Sequence, residues 1–406
     1  MLAAPRLEET RTRLVWTMFA GNAIATTGYI GLATVNPLVA EEITGSKTLA
    51  GLPATTATLG IAVGAAALSW LSLRLGRRAT FAFGYLIAFL GSILVVFSVA
   101  TSSFALLLLG MLSVGIGRSV GQLARYAAGD LRSEDRRASA ISLIIWASTI
   151  GAVVGPLLIG PTGAFASAAG FDELVGPIAV AVGGYALVST LMFVGLRPDP
   201  LSVSIDDHAS EEAGQARPLR DLLAIPSVQL ALVAIIVSQV VMVLVMVMTP
   251  IHITDNDGSL ATVGWVMMAH TLGMFALAPV TGRLVDRFGQ RKMIITAVAV
   301  FIVSCALAAL AVTANLVILI VGLFGLGLAW NFGFVAGSTL VQQDQPLADR
   351  VRLQGFTDSA AWISSGIAAS ASGVVLAATS YTVLALAGAL LALIPLIGIR
   401  RVRHAT

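Results

Sequence analysis

Three polar side chains interrupt an otherwise apolar stretch, "MLSVGIGRSVGQLARYAAGD" at residues 111–130: Arg118, Gln122 and Arg125. Spacings of four and three place them on one face of a helix, with Arg125 about two turns beyond Arg118. A guanidinium presents donors in a planar fork that suits carboxylate, phosphate or carbonyl oxygen. The stripe can therefore act as counter-charge to a substrate or as a gating contact. The structural alternative has Arg118 held by backbone carbonyls and Arg125 reaching to the headgroups. Few other ionisable groups stand within apolar runs: Asp358, His270, and Asp130 at the end of this stretch. A second group of charges, Arg283, Asp286, Arg287, Arg291 and Lys292, is concentrated in "GRLVDRFGQRK" (282–292) between two long apolar runs. An aspartate there can sit at the positive N-terminus of a helix while the bases pair with an acid, which makes a reversible ionic contact.

The elements that must position these residues follow from composition. The 406 residues are 57% hydrophobic and only 11% charged, with a mean hydropathy of +0.92. That leaves too little polar surface to coat a soluble particle, whereas a lipid-facing exterior needs none. The expected class is an all-α integral membrane protein, with the lipid bilayer as its partner. Net charge is +3, but the basic residues sit in short loops as membrane orientation requires, so nucleic acid is discounted as a partner. The single cysteine, Cys305, lies in an apolar run and supports neither a disulfide framework nor a Cys-based metal site. No P-loop, HExxH or nucleophile elbow is found, so no cofactor, no metal and no enzymatic activity are expected.

Counting apolar runs of about 20 residues, the length that crosses a bilayer, predicts twelve transmembrane helices. Their approximate spans are 14–38, 48–72, 79–100, 104–127, 138–160, 175–196, 227–250, 261–281, 293–313, 316–340, 354–378 and 380–399. The first run follows a polar start without a small-residue cleavage site, so it reads as a span and not a removable signal. Placing both termini in the cytoplasm puts nearly every loop base inside and leaves Lys47 outside. The halves repeat: "TLGIAVGAAALSWLSLRLGRR" from Thr58 aligns without gaps on "TLGMFALAPVTGRLVDRFGQR" from Thr271. Two six-helix units are expected, at 1–196 and 227–406, joined by a cytoplasmic linker at 197–226 that carries four prolines and several acids.

Residues 282–292 resemble G-x-L-x-D-R-x-G-R-R, the loop signature of the major facilitator superfamily. The first-half copy, "SWLSLRLGRRA" from Ser69, keeps Arg74, Gly76, Arg77 and Arg78 but has Ser69 and Leu73 where the pattern has glycine and aspartate. The resemblance implies the major facilitator fold and alternating access. It also implies gating roles for Gly282, Asp286, Arg287, Gly289, Arg291, Arg74, Gly76, Arg77 and Asp130, with Asp286 facing the start of the fifth helix near Ser139 and Arg287 or Arg291 reaching Asp344. Asp358 could restore the acid missing at Leu73 by pairing with Arg74 or Arg77.

"GAVVGPLLIG", Gly151 to Gly160, resembles G-x-x-x-G-P-x-x-G-G of the drug:proton antiporter branch, with Ile159 in place of one glycine. Gly151, Gly155 and Pro156 would allow close helix approach and a bend. The branch's arginine in the fourth helix falls on Met111, which departs from the pattern. Trp330 and Asn331 occupy the corresponding part of the tenth helix. With Trp146, Trp362 and a methionine-rich seventh and eighth helix that includes Met246, they are expected to line a cavity for amphipathic molecules. Asp358 and His270 are the candidates for proton coupling.

Three functions remain open on the sequence: proton-coupled efflux of small amphipathic or drug-like compounds, organic-anion transport using Arg118, and a non-transporting membrane sensor or scaffold. A small-molecule substrate, protons as coupling partner and a monomer are expected. Use of Arg over Lys points to a GC-rich bacterial genome and hence the bacterial cytoplasmic membrane.

Overall fold

The computed structural model describes residues 4–132, 134–203, 217–311, 315–342 and 347–403. Every regular element among them is a helix, and twelve are long and apolar enough to cross a membrane. In chain order the spans are Arg6–Thr44, Lys47–Ser72, Arg74–Thr101, Phe104–Asp130, Trp146–Ala168, Val175–Gly195, Pro226–Asp255, Leu260–Phe288, Gln290–Leu310, Leu316–Val341, Phe356–Ala378 and Tyr381–Ile399. The expected spans are all present. The first is much longer than its apolar run because the polar start of the chain continues the same helix from Ala4.

Residues 1–45 and 52–209 form one compact unit, and residues 46–51 and 210–406 form another. The short 46–51 segment packs within the second unit: Lys47 pairs with Asp255, and a Cβ on Gly373 would meet the Lys47 carbonyl at 2.7 Å.

The repeat in sequence is a repeat in backbone conformation. Gly76 (φ 81°, ψ 167°) and Gly289 (φ 82°, ψ 155°) break the chain between second and third, and between eighth and ninth spans, at matching places. Only glycine visits that region without strain, which is why the loop signature needs it there. Prolines act differently in the two units. Pro37, Pro156 and Pro161 stay within continuous helices. Pro250 and Pro279 instead begin new helical segments, Thr249–Asp255 and Ala278–Phe288, so the seventh and eighth spans are each built from two pieces.

Packing follows the demands of lipid, where helix association depends on close contact more than on expulsion of water. In the first unit Phe81, Tyr85, Met111, Ile144 and Tyr185 are fully buried; in the second Phe301 and Cys305 are. Leu90, Phe97, Leu109, Ile363, Ile367 and Leu390 remain exposed, as suits side chains facing acyl chains.

Candidate functional site

In the first unit the first span turns one face toward the fourth. Of Asn22, Thr26 and Tyr29, spaced by four and three on one face, Thr26 and Tyr29 meet Arg118 there. The Arg118 guanidinium donates to Thr26 Oγ1 at 3.4 Å and lies over the Tyr29 ring, 5.2 Å from its centroid. Gly121, one turn along, leaves room between them: a Cβ at that position would lie 2.5 Å from Asn22 Oδ1 and 3.2 Å from Arg118 Nη1. Asn22 is oriented from its other end, because its amide nitrogen donates to Ile144 O (2.8 Å) and Ser148 Oγ (2.9 Å). Its carbonyl oxygen is buried without a partner. Tyr85 and Tyr185 stack at 6.4 Å within electrostatic reach of Arg118, and the Tyr185 hydroxyl is likewise buried and unpartnered. Among the described residues no carboxylate lies within ion-pairing distance of Arg118, and its contacts are the Thr26 hydroxyl and the Tyr29 ring face.

The next polar residues on the stripe bind each other. Arg125 Nη2 donates to Gln122 Oε1, and the Arg125 guanidinium lies over Tyr126. Trp146 is not part of this cluster. It is 57% exposed and stacks on Phe19 at 5.8 Å, with Trp16 edge-on beyond.

The fifth-span glycines pack on the first span. A Cβ on Gly151 would meet Thr27 N at 2.5 Å and Thr26 Cβ at 2.7 Å; one on Gly155 would meet Thr27 O at 2.7 Å. Contact this close between backbones is possible only without side chains. It sets Thr26, and through it Arg118, in place. Pro156 continues the same helix.

At the cytoplasmic end of this unit, by the orientation expected from the loop bases, Asp199 lies against the first copy of the loop. Its carboxylate accepts the backbone N–H groups of Arg77 (3.2 Å), Arg78 (2.9 Å) and Leu201 (2.8 Å), and so caps the helix that starts after Gly76. A Cβ on Gly76 would lie 2.9 Å from Asp199 Cγ, so this glycine is required for space as well as for conformation. Arg78 Nε donates to Phe193 O at 2.8 Å, Arg11 Nε to Val203 O at 2.8 Å, and Arg13 to Arg197 O, which fixes residues 193–203 to the bundle. Arg77 pairs with Asp130 at the end of the fourth span, and Arg74 stacks over Trp70 at 4.1 Å.

The second copy of the loop is open by comparison. Gly282 and Gly289 have no atom that an added Cβ would meet within 4 Å. Asp286 and Arg287 are exposed, and Arg291 is half-buried. Asp344 lies outside the described residues, as does the side chain of Ser139. Asp358 is exposed in the second unit.

In that unit Trp330 and Asn331, adjacent in sequence, diverge. Trp330 Nε1 donates to Gln239 Oε1 at 2.8 Å, Gln239 donates onward to Ser365 Oγ at 3.3 Å, and the indole stacks on Phe334 at 4.9 Å with Phe275 edge-on at 5.9 Å. Asn331 is buried and donates to Met274 O at 2.6 Å, so it ties the eighth span to the tenth. His270 is fully buried in the same seam, with Nδ1 2.9 Å from Leu323 O. Trp362 and Met246 are half-buried, whereas Met242 and Met248 are core residues. No group of three or more His, Cys, Asp or Glu among the described residues could hold a metal ion.

Two duplicated six-span units, each with its glycine-hinged loop at the same place, agree with the family model of the Major Facilitator Superfamily, which matches residues 18–255 and 230–405. The chain belongs to the major facilitator superfamily. Among its relatives in this superfamily is the uncharacterized MFS-type transporter YddS of Bacillus subtilis (strain 168), 35% identical, over 89% of this chain and 84% of that protein. Another is the riboflavin transporter RfnT of Brucella anthropi, 29% identical over 79% and 78% of the two chains. Solved transporters share the fold: a bacterial homologue of the human lysosomal transporter Spinster (TM-score 0.72, 17% identity, 98% of this chain and 94% of that one) and the nucleoside transporter NupG (TM-score 0.70, 15% identity, 96% and 99%). This member of the superfamily is a multi-pass membrane protein and a transporter of the MFS type.

Proposed function

We propose that this transporter is a secondary active carrier working by alternating access, and that it moves small organic anions or acceptor-rich amphipathic molecules held by Arg118. One observation carries the reading: a guanidinium inside the first unit contacts Thr26 and Tyr29, with no carboxylate to neutralise it among the described residues. A charge within a membrane span is costly, of order 2.5–3.5 kcal/mol on insertion scales, and such residues characteristically face a substrate path. A substrate carboxylate would supply the missing charge. A carbonyl-rich neutral ring system, such as the riboflavin named for one relative, would use the same donors.

A second reading, proton-coupled efflux of drug-like compounds, is favoured by the close packing of Gly151 and Gly155 on the first span, the contact that the antiporter-type pattern would provide. Proton coupling would then fall to the second unit. Asp358 is the better candidate there, because His270 is sealed in a helix seam. Asp286, Arg287 and Arg291, with Arg74, Arg77 and Asp130 in the other copy, are the proposed gating charges. A monomer in the bacterial cytoplasmic membrane, with both termini inside, completes the proposal.

The test is flux into proteoliposomes of one organic anion and one cationic dye, with and without a pH gradient, for the wild type, Arg118→Gln and Arg118→Lys. Anion flux should vanish in Arg118→Gln and persist in part in Arg118→Lys, which keeps the charge but loses the planar fork. Dye flux driven by the pH gradient, together with wild-type anion handling by folded Arg118→Gln, would replace the first reading by the second.

A further inference from the structure

The stripe on the fourth span carries a second guanidinium that the Arg118 site does not use. Arg125 follows Arg118 by seven residues, which is about 10 Å along the helix axis and nearly two full turns, so both point from the same face. Arg125 is half-buried, and its Nε hydrogen has no acceptor although the atom is shielded from solvent. Its Nη2 is committed to Gln122 Oε1, which holds the guanidinium along the stripe instead of letting it extend outward. Gln122, with its carbonyl so engaged, has its amide hydrogens left as donors. Like Arg118, Arg125 has no carboxylate within ion-pairing distance among the described residues. Asp130, five residues on, is paired with Arg77. The acids of the described first unit, Glu8, Glu9, Glu41, Glu42, Asp130, Glu134, Asp135, Asp172, Glu173 and Asp199, all lie at or beyond the ends of its spans.

A lone arginine asks for one acceptor. Two of them in register, with an amide and no acid between them in the stripe, form a ladder of donors with a set interval. We propose that Arg125 is a second acceptor-binding position, and that the first unit therefore selects organic dianions whose two charged groups are about 10 Å apart, one at Arg118 and the other at Arg125. Gln122 contacts the middle of the molecule through its amide hydrogens. This inference rests on the reading of Arg118 as a substrate counter-charge and adds to it the class and length of the substrate.

The probes are rigid aromatic dicarboxylates whose carboxylates stand closer than, at, and farther than that interval, each with its monocarboxylate counterpart. Their binding to the intact, detergent-purified protein is measured by calorimetry and by ligand-induced thermal stabilisation. The wild type should bind the diacid of matching length about tenfold or more tightly than its mono-acid, the gain expected for one added charge-assisted contact, and lose that preference for shorter and longer diacids. Arg125→Gln should bring diacid and mono-acid to equal affinity while leaving mono-acid binding within about twofold of wild type. Arg125→Lys should keep part of the preference, which separates loss of the contact from loss of the fold. A wild type that binds mono-acids but shows no length preference, or a preference that survives Arg125→Gln, overturns the second position and leaves Arg118 standing. Failure of every carboxylate to bind overturns both.

Discussion

Alanine at Gly76, compared with alanine at Gly289, separates the two jobs of the loop glycine. Both residues have φ near +82° and extended ψ, where a Cβ costs of order 1–3 kcal/mol. At Gly289 that strain is the whole penalty, since nothing lies within 4 Å of the added methyl. At Gly76 the methyl would also displace the Asp199 carboxylate from the N–H groups of Arg77 and Arg78. Losing a carboxylate cap costs about 0.5–2 kcal/mol, so Gly76→Ala should destabilise by that much more than Gly289→Ala. Asp199→Ala alone should cost about the same 0.5–2 kcal/mol. The double variant should be less damaged than the sum of its parts by an amount of that order, because without Asp199 the methyl has nothing to displace. Heat-induced unfolding of the wild type and the four variants in one detergent, followed by tryptophan fluorescence, gives the ranking and the cycle. Equal losses for the two glycine variants, or full additivity of Gly76→Ala with Asp199→Ala, would refute the cap.

Gly151→Ala puts a methyl 2.5 Å from Thr27 N and 2.7 Å from Thr26 Cβ, so overpacking should cost about 1–3 kcal/mol and weaken anion binding at an untouched Arg118. Melting and anion titration on the same sample check it, and wild-type affinity in the folded variant would disconnect the fifth span from the site. Trp330→Phe removes one donor and strands the Gln239 carbonyl, for a loss of about 1–3 kcal/mol that Gln239→Leu in the same chain should largely relieve. Additive losses on thermal unfolding would mean that the indole is held by Phe334 and Phe275 alone.

The fold was legible because its signals are long. Runs of about twenty apolar residues and a gap-free repeat need no tertiary information, and the repeat even places the two backbone breaks, at Gly76 and Gly289, in register. Arg118 was legible because a charge in an apolar run is rare. Its neighbours were not, since Asn22, Thr26 and Tyr29 are neutral and barely alter hydropathy; their spacing of four and three on one helix face was the available signal. Asp199 gave none. It caps a helix more than 120 residues earlier, from a stretch that reads as linker, and only the folded unit brings it there. Trp330 and Asn331 show the converse limit. Neighbours on a helix diverge by about 100°, so one turned to Gln239 and the other to Met274, and no shared site could follow from their adjacency.

The clamp at Asp199 also decides where this polypeptide can be divided. Residues 197–203 read as the start of a connector, yet Asp199, Arg11 and Arg13 make them an integral part of the first bundle. Arg217, bound to Asp349 through both its backbone N–H and its guanidinium, belongs in the same way to the second. A two-chain version of the transporter, an inserted reporter or a protease site therefore belongs between Val203 and Arg217. A break placed at Arg197, where the apolar sequence ends, would remove a helix cap from the half it was meant to leave whole.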